Sequence, residues 1–303
     1  MDASTSAASP SAASPASKEG LPLAPDVVTF RNVTKRFGDR IAIQDVSFRI
    51  EDLPGKGELI SIVGPSGCGK STLLRILAGL RPHFPATTGE ALVCGQPIAG
   101  PGADRGLVDQ KYSLLPHLTV LDNVAFGLKL RGVRRQERRA RAREWVKKVG
   151  LETCEDKYPS ELSGGMQQRV SIAATLILGP RILLMDEPFG ALDPKIRLRM
   201  QELLVELWNE QQATVFLVTH SVDEAVYLGD RIFRMASGPG RLVEILPIPR
   251  PHDPPEVWRQ KKWFIEVTRE LLRRLEQDAP PCGDLSREGA EAARLATGNT
   301  AAG

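Results

Sequence analysis

The sequence predicts an α/β fold with a largely parallel sheet, a β subdomain and an inserted α-helical subdomain. Three observations carry that expectation. Short apolar runs at residues 182–185, 214–218 and 232–235 alternate with helix-length segments such as 195–211, the pattern of parallel strands covered by helices. Residues 27–98 read mostly as strand, which gives the β subdomain. Residues 114–161 turn helical, and no convincing strand interrupts them.

Taken in order, residues 1–25 are dominated by Ala, Ser and Pro, with hardly any large side chains to bury, and read as a disordered leader. Strands are expected at 27–30, at 41–50 with near-alternating apolar positions, at 59–63 and at 91–94. The run Val120-Leu121-Asp122-Asn123-Val124-Ala125-Phe126-Gly127-Leu128 is helical in pattern. Residues 242–248 read as a final strand pair, followed by a Pro-rich run and one amphipathic helix over 257–275. The tail from 279 is rich in Gly, Ala and Pro. These boundaries give a leader (1–25), a folded domain (26–250) with a helical insert at about 111–161, and a C-terminal helix with a flexible tail (251–303).

The 303 residues, 42% hydrophobic, are ample for a packed core. No run approaches the roughly 20 apolar residues of a membrane-spanning helix, and the N-terminus lacks a basic-then-apolar secretory signature, so the chain is expected in the cytosol or docked on a membrane. Cys68, Cys94, Cys154 and Cys282 are scattered without a CxxC pair, which argues against structural zinc and a disulfide framework. A net charge of +3 is too small to argue for nucleic acid. Residues 131–148 concentrate basic side chains, favouring the solvated face of a helix whose apolar side holds Val133, Ala142, Trp145, Val146 and Val149; attraction to anionic headgroups is the second reading.

The 59–63 strand runs into Gly64-Pro65-Ser66-Gly67-Cys68-Gly69-Lys70-Ser71, and Thr72 opens a helix-like segment. This is a P-loop in its structural setting, against the bland alternative of a Gly-rich turn carrying a lysine. Backbone amides wrap a polyphosphate only where side chains do not collide, which suits Gly64, Gly67 and Gly69. Lys70 supplies a charge for the β- and γ-phosphates, and the Ser71 hydroxyl can enter the shell of Mg²⁺. Cys68, inside the loop, is expected to be thiolate-prone beside those amides and Lys70, so that alkylation blocks nucleotide binding.

The 182–185 strand delivers Asp186 and Glu187 at its carboxyl end, where a parallel sheet places its active site. Adjacent buried carboxylates ask for a cation: Asp186 is suited to Mg²⁺ and Glu187 to polarising the attacking water. His220, after the 214–218 strand, belongs to the same edge, although a lone histidine is more often structural. Ser163 is placed to cap a helix that begins Gly164-Gly165, leaving amides open to an anion.

Together, and in this order, the P-loop, Gln110, the Leu162-Ser163-Gly164-Gly165-Met166-Gln167 run, Asp186-Glu187, Ala191-Leu192-Asp193 and His220 resemble the ATP-binding subunit of an ABC transporter, over about residues 27–249. The resemblance implies the ABC ATPase fold, a P-loop NTPase core with a largely parallel sheet, an antiparallel β subdomain and an inserted α-helical subdomain, with ATP and Mg²⁺ as cofactors. It implies that Phe37 stacks on adenine, the competing reading being a core phenylalanine. It also implies catalytic roles for Glu187, His220 and Gln110, nucleotide contacts from Gly64 through Thr72 and from Ser163, Gly164 and Gly165, and metal contacts from Ser71, Gln110 and Asp186. Finer wording, such as Leu114-Leu115-Pro116-His117-Leu118-Thr119 and Met166, is similar to the nitrate, sulfonate and taurine importers. Asp109 before Gln110, Gln167 and Ser221 depart from the family's usual residues.

In that family two ATPase subunits close head to tail, so Ser163-Gly164-Gly165 of one copy faces Lys70 of the other, with Asp193 at the seam. The implied partners are integral membrane permease subunits, a second copy of the chain and, indirectly, a substrate-binding protein, with no nucleic acid; the implied location is the cytoplasmic face of the cell membrane. Two rival classes stay open: a soluble ABC-type ATPase without a transport role, and a phosphotransferase using the same loop.

Overall fold

A computed structural model describes residues 26–53, 55–109, 113–190, 192–249 and 255–278. The leader, the tail from Ala279, the Pro-rich run at 250–254, Gln110, Ala191 and Cys282 lie outside the described residues. The chain runs β1 (Val28–Phe37), β2 (Arg40–Ile50), β3 (Leu59–Val63), α1 (Lys70–Leu77), β4 (Thr88–Val93), β5 (Gln96–Pro97) and β6 (Arg105–Val108). It continues with α2 (Val120–Leu130), α3 (Arg135–Lys148), α4 (Gly164–Leu176), β7 (Ile182–Asp186), α5 (Pro194–Gln211) and β8 (Thr214–Val218). The remaining elements are α6 (Val222–Leu228), β9 (Arg231–Ala236), β10 (Arg241–Pro247), α7 (Pro255–Trp258) and α8 (Lys262–Gln277).

Two sheets result. Strands β2-β1-β4-β5 form an antiparallel sheet, and β10-β9-β3-β8-β7-β6 form a second in which all neighbours are parallel except the edge pair β9 and β10. The central strands β3, β7 and β8 are buried throughout and mostly apolar because both their faces are covered. Alternate residues separate cleanly: Leu59, Val63, Leu183, Met185, Val215 and Leu217 join the core shared with α2 to α6, α8 and their loops. Ile60, Ile62, Ile182, Leu184, Phe216 and Val218 join the core shared with α1 and the antiparallel sheet, where Phe48 packs on Phe30, Phe216 and Phe233. A helix between two sheets is thereby clamped from both sides, and α1 is the element that begins at Lys70.

Between β6 and β7 the described chain is helical apart from its loops, with α2 packed against α3 and α4. Helix α3 buries only Ala142, Trp145 and Val146 and leaves its basic side chains outward, where Arg139 pairs with Asp122 and Arg143 with Glu155. Its stability therefore comes from that narrow apolar seam; exposed pairs of this kind contribute at most about 1 kcal/mol.

Two expectations are corrected, and one strand is found that none of them covered. The four-residue strand β6 is invisible to apolar periodicity, since Arg105, Gly106 and Leu107 are only partly buried. Gly106 is required there because a Cβ would lie 2.4 Å from Thr175 Cγ2 on α4. Residues 242–248 are not a strand pair: one edge strand, β10, pairs with β9 and ends at Pro247, where a missing N–H costs an edge nothing. The helix expected over 257–275 is two helices. The chain turns at Gln260 and Lys261, Trp258 packs on Trp263 with centroids 5.7 Å apart, and Arg259 points away to Gln201 Oε1 at 2.8 Å and the Tyr227 ring. Those tertiary contacts outweigh the helical periodicity of the segment.

Candidate nucleotide-binding and hydrolysis site

The loop from β3 to α1 has the backbone that a phosphate cradle needs. Gly67 and Gly69 take φ of 77° and 93°, in the left-handed region open to glycine. A Cβ on Gly69 would also lie 2.3 Å from Ile43 Cγ2 and 2.8 Å from the Ala42 carbonyl, so the loop is pressed against β2. At Gly64 a Cβ would lie 2.5 Å from the Met235 carbonyl of β9. The loop's path is thus fixed from both sheets. Lys70, 5% exposed, donates to the carbonyls of Gly64 (2.9 Å) and Pro65 (3.0 Å), which satisfies its ammonium across the mouth of the loop.

A cleft of about 480 Å³ opens over this loop, lined by Phe37, Ser66, Gly67, Gly69, Lys70, Ser71, Thr72 and Glu187. Arg40 and Ala42 complete its wall from the antiparallel sheet, and neither belongs to a sequence motif. Phe37 is half-buried, edge-on to His83 with centroids 5.3 Å apart, and it borders the cleft rather than either core.

At the adjoining strand ends the polar groups converge. Asp186 closes β7 beside Val218 of β8, and its Oδ1 accepts the Ser71 hydroxyl at 2.9 Å. Burial pushes the Asp186 carboxyl up from its ordinary range, opposed by the Ser71 hydrogen bond and by the Arg75 guanidinium 3.7 Å away. Glu187 follows with φ of 50°, a left-handed value that is uncommon for a glutamate, and the turn aims its side chain into the cleft. Its Oε1 lies 2.5 Å from His220 Nε2, two residues beyond the end of β8. Nearby, Thr219 Oγ1 donates to Glu224 at 2.6 Å, a buried contact that the motif reading did not contain.

A hydroxyl and a carboxylate meeting at the end of a phosphate loop form a hard oxygen donor pair, which fits Mg²⁺ held with phosphate and water oxygens. Among the described residues no group of three or more His, Cys, Asp or Glu could hold a metal without such help.

The start of α4 lies apart from this cluster. Ser163, Gly164 and Gly165 do not line the Lys70 cleft; Ser163 accepts from Met166 N at 3.4 Å as the N-cap of α4, and Gly165 packs toward Ile196 of α5. Cys68 is corrected outright. Its side chain is fully buried among apolar residues, 3.9 Å from Lys70 Nζ, and burial pushes the thiol up more than Lys70 lowers it. Asp193 caps α5 by accepting from Lys195 N and Ile196 N at 3.1 and 3.0 Å.

The profile of a family described as ABC transporter matches residues 43–190. An uncharacterized ABC transporter ATP-binding protein of Methanocaldococcus jannaschii is 47% identical over 253 residues, 82% of this chain and 90% of its own length. The taurine import ATP-binding protein TauB of Escherichia coli K12 is 46% identical over 212 residues, 70% of this chain and 80% of its own. Among solved structures, a dimeric ATP-binding cassette in a post-hydrolysis state with ADP and Pi is 35% identical, covers 73% of this chain and 99% of its own, and superposes with a TM-score of 0.63. CbiO1 of Clostridium perfringens, part of the transporter complex cbiONQ, is 27% identical, covers 84% and 98%, and gives 0.66.

Proposed function

This chain belongs to the ABC transporter ATP-binding proteins and is an ATPase, and from that premise we propose that it energises a membrane importer for a small anion of the nitrate, sulfonate or taurine kind. The observation that carries the substrate class is the 46% identity to a taurine import subunit over 80% of that protein's length. In this reading the chain docks at the cytoplasmic face of the cell membrane on integral permease subunits, which receive their cargo from a substrate-binding protein. No helix among the described residues is long and apolar enough to cross a membrane, so the translocation path is assigned to the partners.

The division of labour follows from the cleft. Gly64 to Thr72 wrap the phosphates, Lys70 swings from the Gly64 and Pro65 carbonyls onto the β- and γ-phosphates, and Phe37 offers its ring to the adenine. Mg²⁺, held by Ser71, Asp186 and Gln110, would neutralise charge developing on the phosphoryl oxygens. Glu187 takes the proton of the attacking water, and His220, 2.5 Å from it, holds that carboxylate and reaches the γ-phosphate. The start of α4 is not part of the cleft of its own chain, which supports a second copy presenting Ser163, Gly164 and Gly165 across it.

Affinity capture of the full chain from solubilised membranes, followed by identification of co-purifying integral proteins, tests the transport reading. A permease pair whose transport of taurine or nitrate requires ATP is the expected outcome. Recovery of ribosomes or DNA alone would move the assignment to a soluble ABC-type ATPase.

A further inference from the structure

Helix α1 carries, one turn beyond the phosphate loop, a cation that faces two carboxylates. Arg75 Nη2 lies 3.7 Å from Asp186 Oδ2 and 3.9 Å from Asp109 Oδ1. Both separations exceed a hydrogen bond, so the guanidinium is shared rather than committed. The other oxygen of Asp186 is already engaged by Ser71 at 2.9 Å. Asp186 is 7% exposed at its side chain, whereas Arg75 and Asp109 are 35% and 31% exposed. Asp109 directly follows β6 and precedes Gln110 in the sequence.

We infer that Asp109 and Arg75 are positioning residues that govern how available Asp186 is to a divalent cation. The inference rests on the reading of Asp186 as the Mg²⁺ carboxylate. Arg75 offsets the buried negative charge of Asp186 when no metal is present. Asp109 draws the guanidinium outward and prevents it from closing onto Oδ2, the oxygen that Ser71 leaves open. A cation fully seated on Asp186 would compete with the metal for that oxygen and repel its charge. A carboxylate immediately before Gln110 thus has a specific use at this site: any movement of the segment that carries Asp109 toward or away from α1 changes the hold of Arg75 on the metal ligand.

The two positions therefore act with opposite sign, and Asp109 acts only through Arg75. The test measures equilibrium binding of trinitrophenyl-ATP to the full chain in EDTA and in saturating Mg²⁺, and takes the ratio of the two dissociation constants. Asp109→Asn should lower the Mg²⁺-dependent tightening by about three- to tenfold while leaving the EDTA value unchanged, which also reports an intact fold. Arg75→Gln should keep the ratio at or above that of the parent chain, and the Arg75→Gln/Asp109→Asn pair should match Arg75→Gln alone. An unchanged ratio in Asp109→Asn, or a double variant that keeps the full Asp109→Asn loss, overturns the inference. Asp186→Asn separates the two levels: if it leaves the ratio intact, the metal reading of Asp186 fails and the inference fails with it. If it abolishes the ratio while Asp109→Asn has no effect, only the inference fails.

Discussion

Glu187 Oε1 and His220 Nε2 are 2.5 Å apart, although they come from different strands and are held by different turns. One turn is the left-handed backbone at Glu187, whose N–H is tied to the Val218 carbonyl at 3.0 Å; the other begins where Thr219 N donates to the Ile62 carbonyl at 3.2 Å. The pair is thus held through three neighbouring strands, β3, β7 and β8.

That geometry predicts separable effects on binding and turnover. Glu187→Gln keeps the shape and the contact with His220 but removes the base, so phosphate release should fall by about a hundredfold or more. ATP affinity in the same variant should stay within about threefold, because Glu187 does not build the phosphate loop. Parallel measurement of phosphate release and equilibrium ATP binding checks this, and hydrolysis near the parent rate would remove Glu187 from its proposed role.

Cys68 yields a prediction opposite to the one its position in the motif suggests. Its side chain is fully buried, and burial outweighs Lys70 in setting the thiol. In the native protein at pH ~8, iodoacetamide should modify the partly exposed Cys94 at least about tenfold faster than Cys68, and saturating ATP should change the Cys68 rate little. Peptide mass mapping of each cysteine over time provides the rates. Labelling of Cys68 as fast as Cys94 would mean that the loop opens in solution.

The contrast shows where the sequence was legible. The strand 59–63, the glycine spacing, the Asp186-Glu187 strand end and the 214–218 strand before His220 are each local patterns, and each is found in place as an element. What stayed hidden depends on contacts between distant segments. The seat of Cys68 is set by β9, the sharing of Arg75 by Asp109 and Asp186, and the break between α7 and α8 by Gln201 and Tyr227. No periodicity carries such information. The glycine spacing of the loop was legible, but not which of its side chains line the cleft and which are buried.

Gly240, in the turn from β9 to β10, supplies a third prediction from outside every motif. A Cβ there would lie 2.0 Å from the Cys68 carbonyl and 2.6 Å from the Ala42 carbonyl, and its own carbonyl accepts from Gln44 N at 2.8 Å. The residue is a close-packed spacer between the phosphate loop and β2. Gly240→Ala should cost about 1–3 kcal/mol of stability and weaken ATP binding by about tenfold, although position 240 lines no part of the cleft. Urea denaturation and nucleotide titration measure both; unchanged affinity would show that the loop yields without losing its cradle.

The last prediction concerns the attachment of α8 to the sheet edge and its dependence on pH. Glu244 on β10 accepts from Arg234 Nε at 2.9 Å and from Arg274 Nη1 at 2.5 Å, while Arg274 also reaches Glu270 at 2.8 Å and Arg234 pairs with Asp278. Burial alone would raise the Glu244 carboxyl, but hydrogen bonds from Arg274 and Arg234 hold it below its ordinary range. Hydrogen bonds from Arg273 and Arg274 bring Glu270 from 4.5 down to about 2. Both groups are therefore depressed in the folded state, so the unfolded chain binds more protons between those limits and stability falls as pH falls. The contribution is fully present above the ordinary carboxylate value of 4.5 and disappears as the pH drops toward about 2. A Glu244→Gln/Glu270→Gln variant should start with a lower urea midpoint at pH ~6 and lose less of it on acidification than the parent chain does. Equal pH slopes for the two proteins would show that this arginine-carboxylate network does not hold α8 in place.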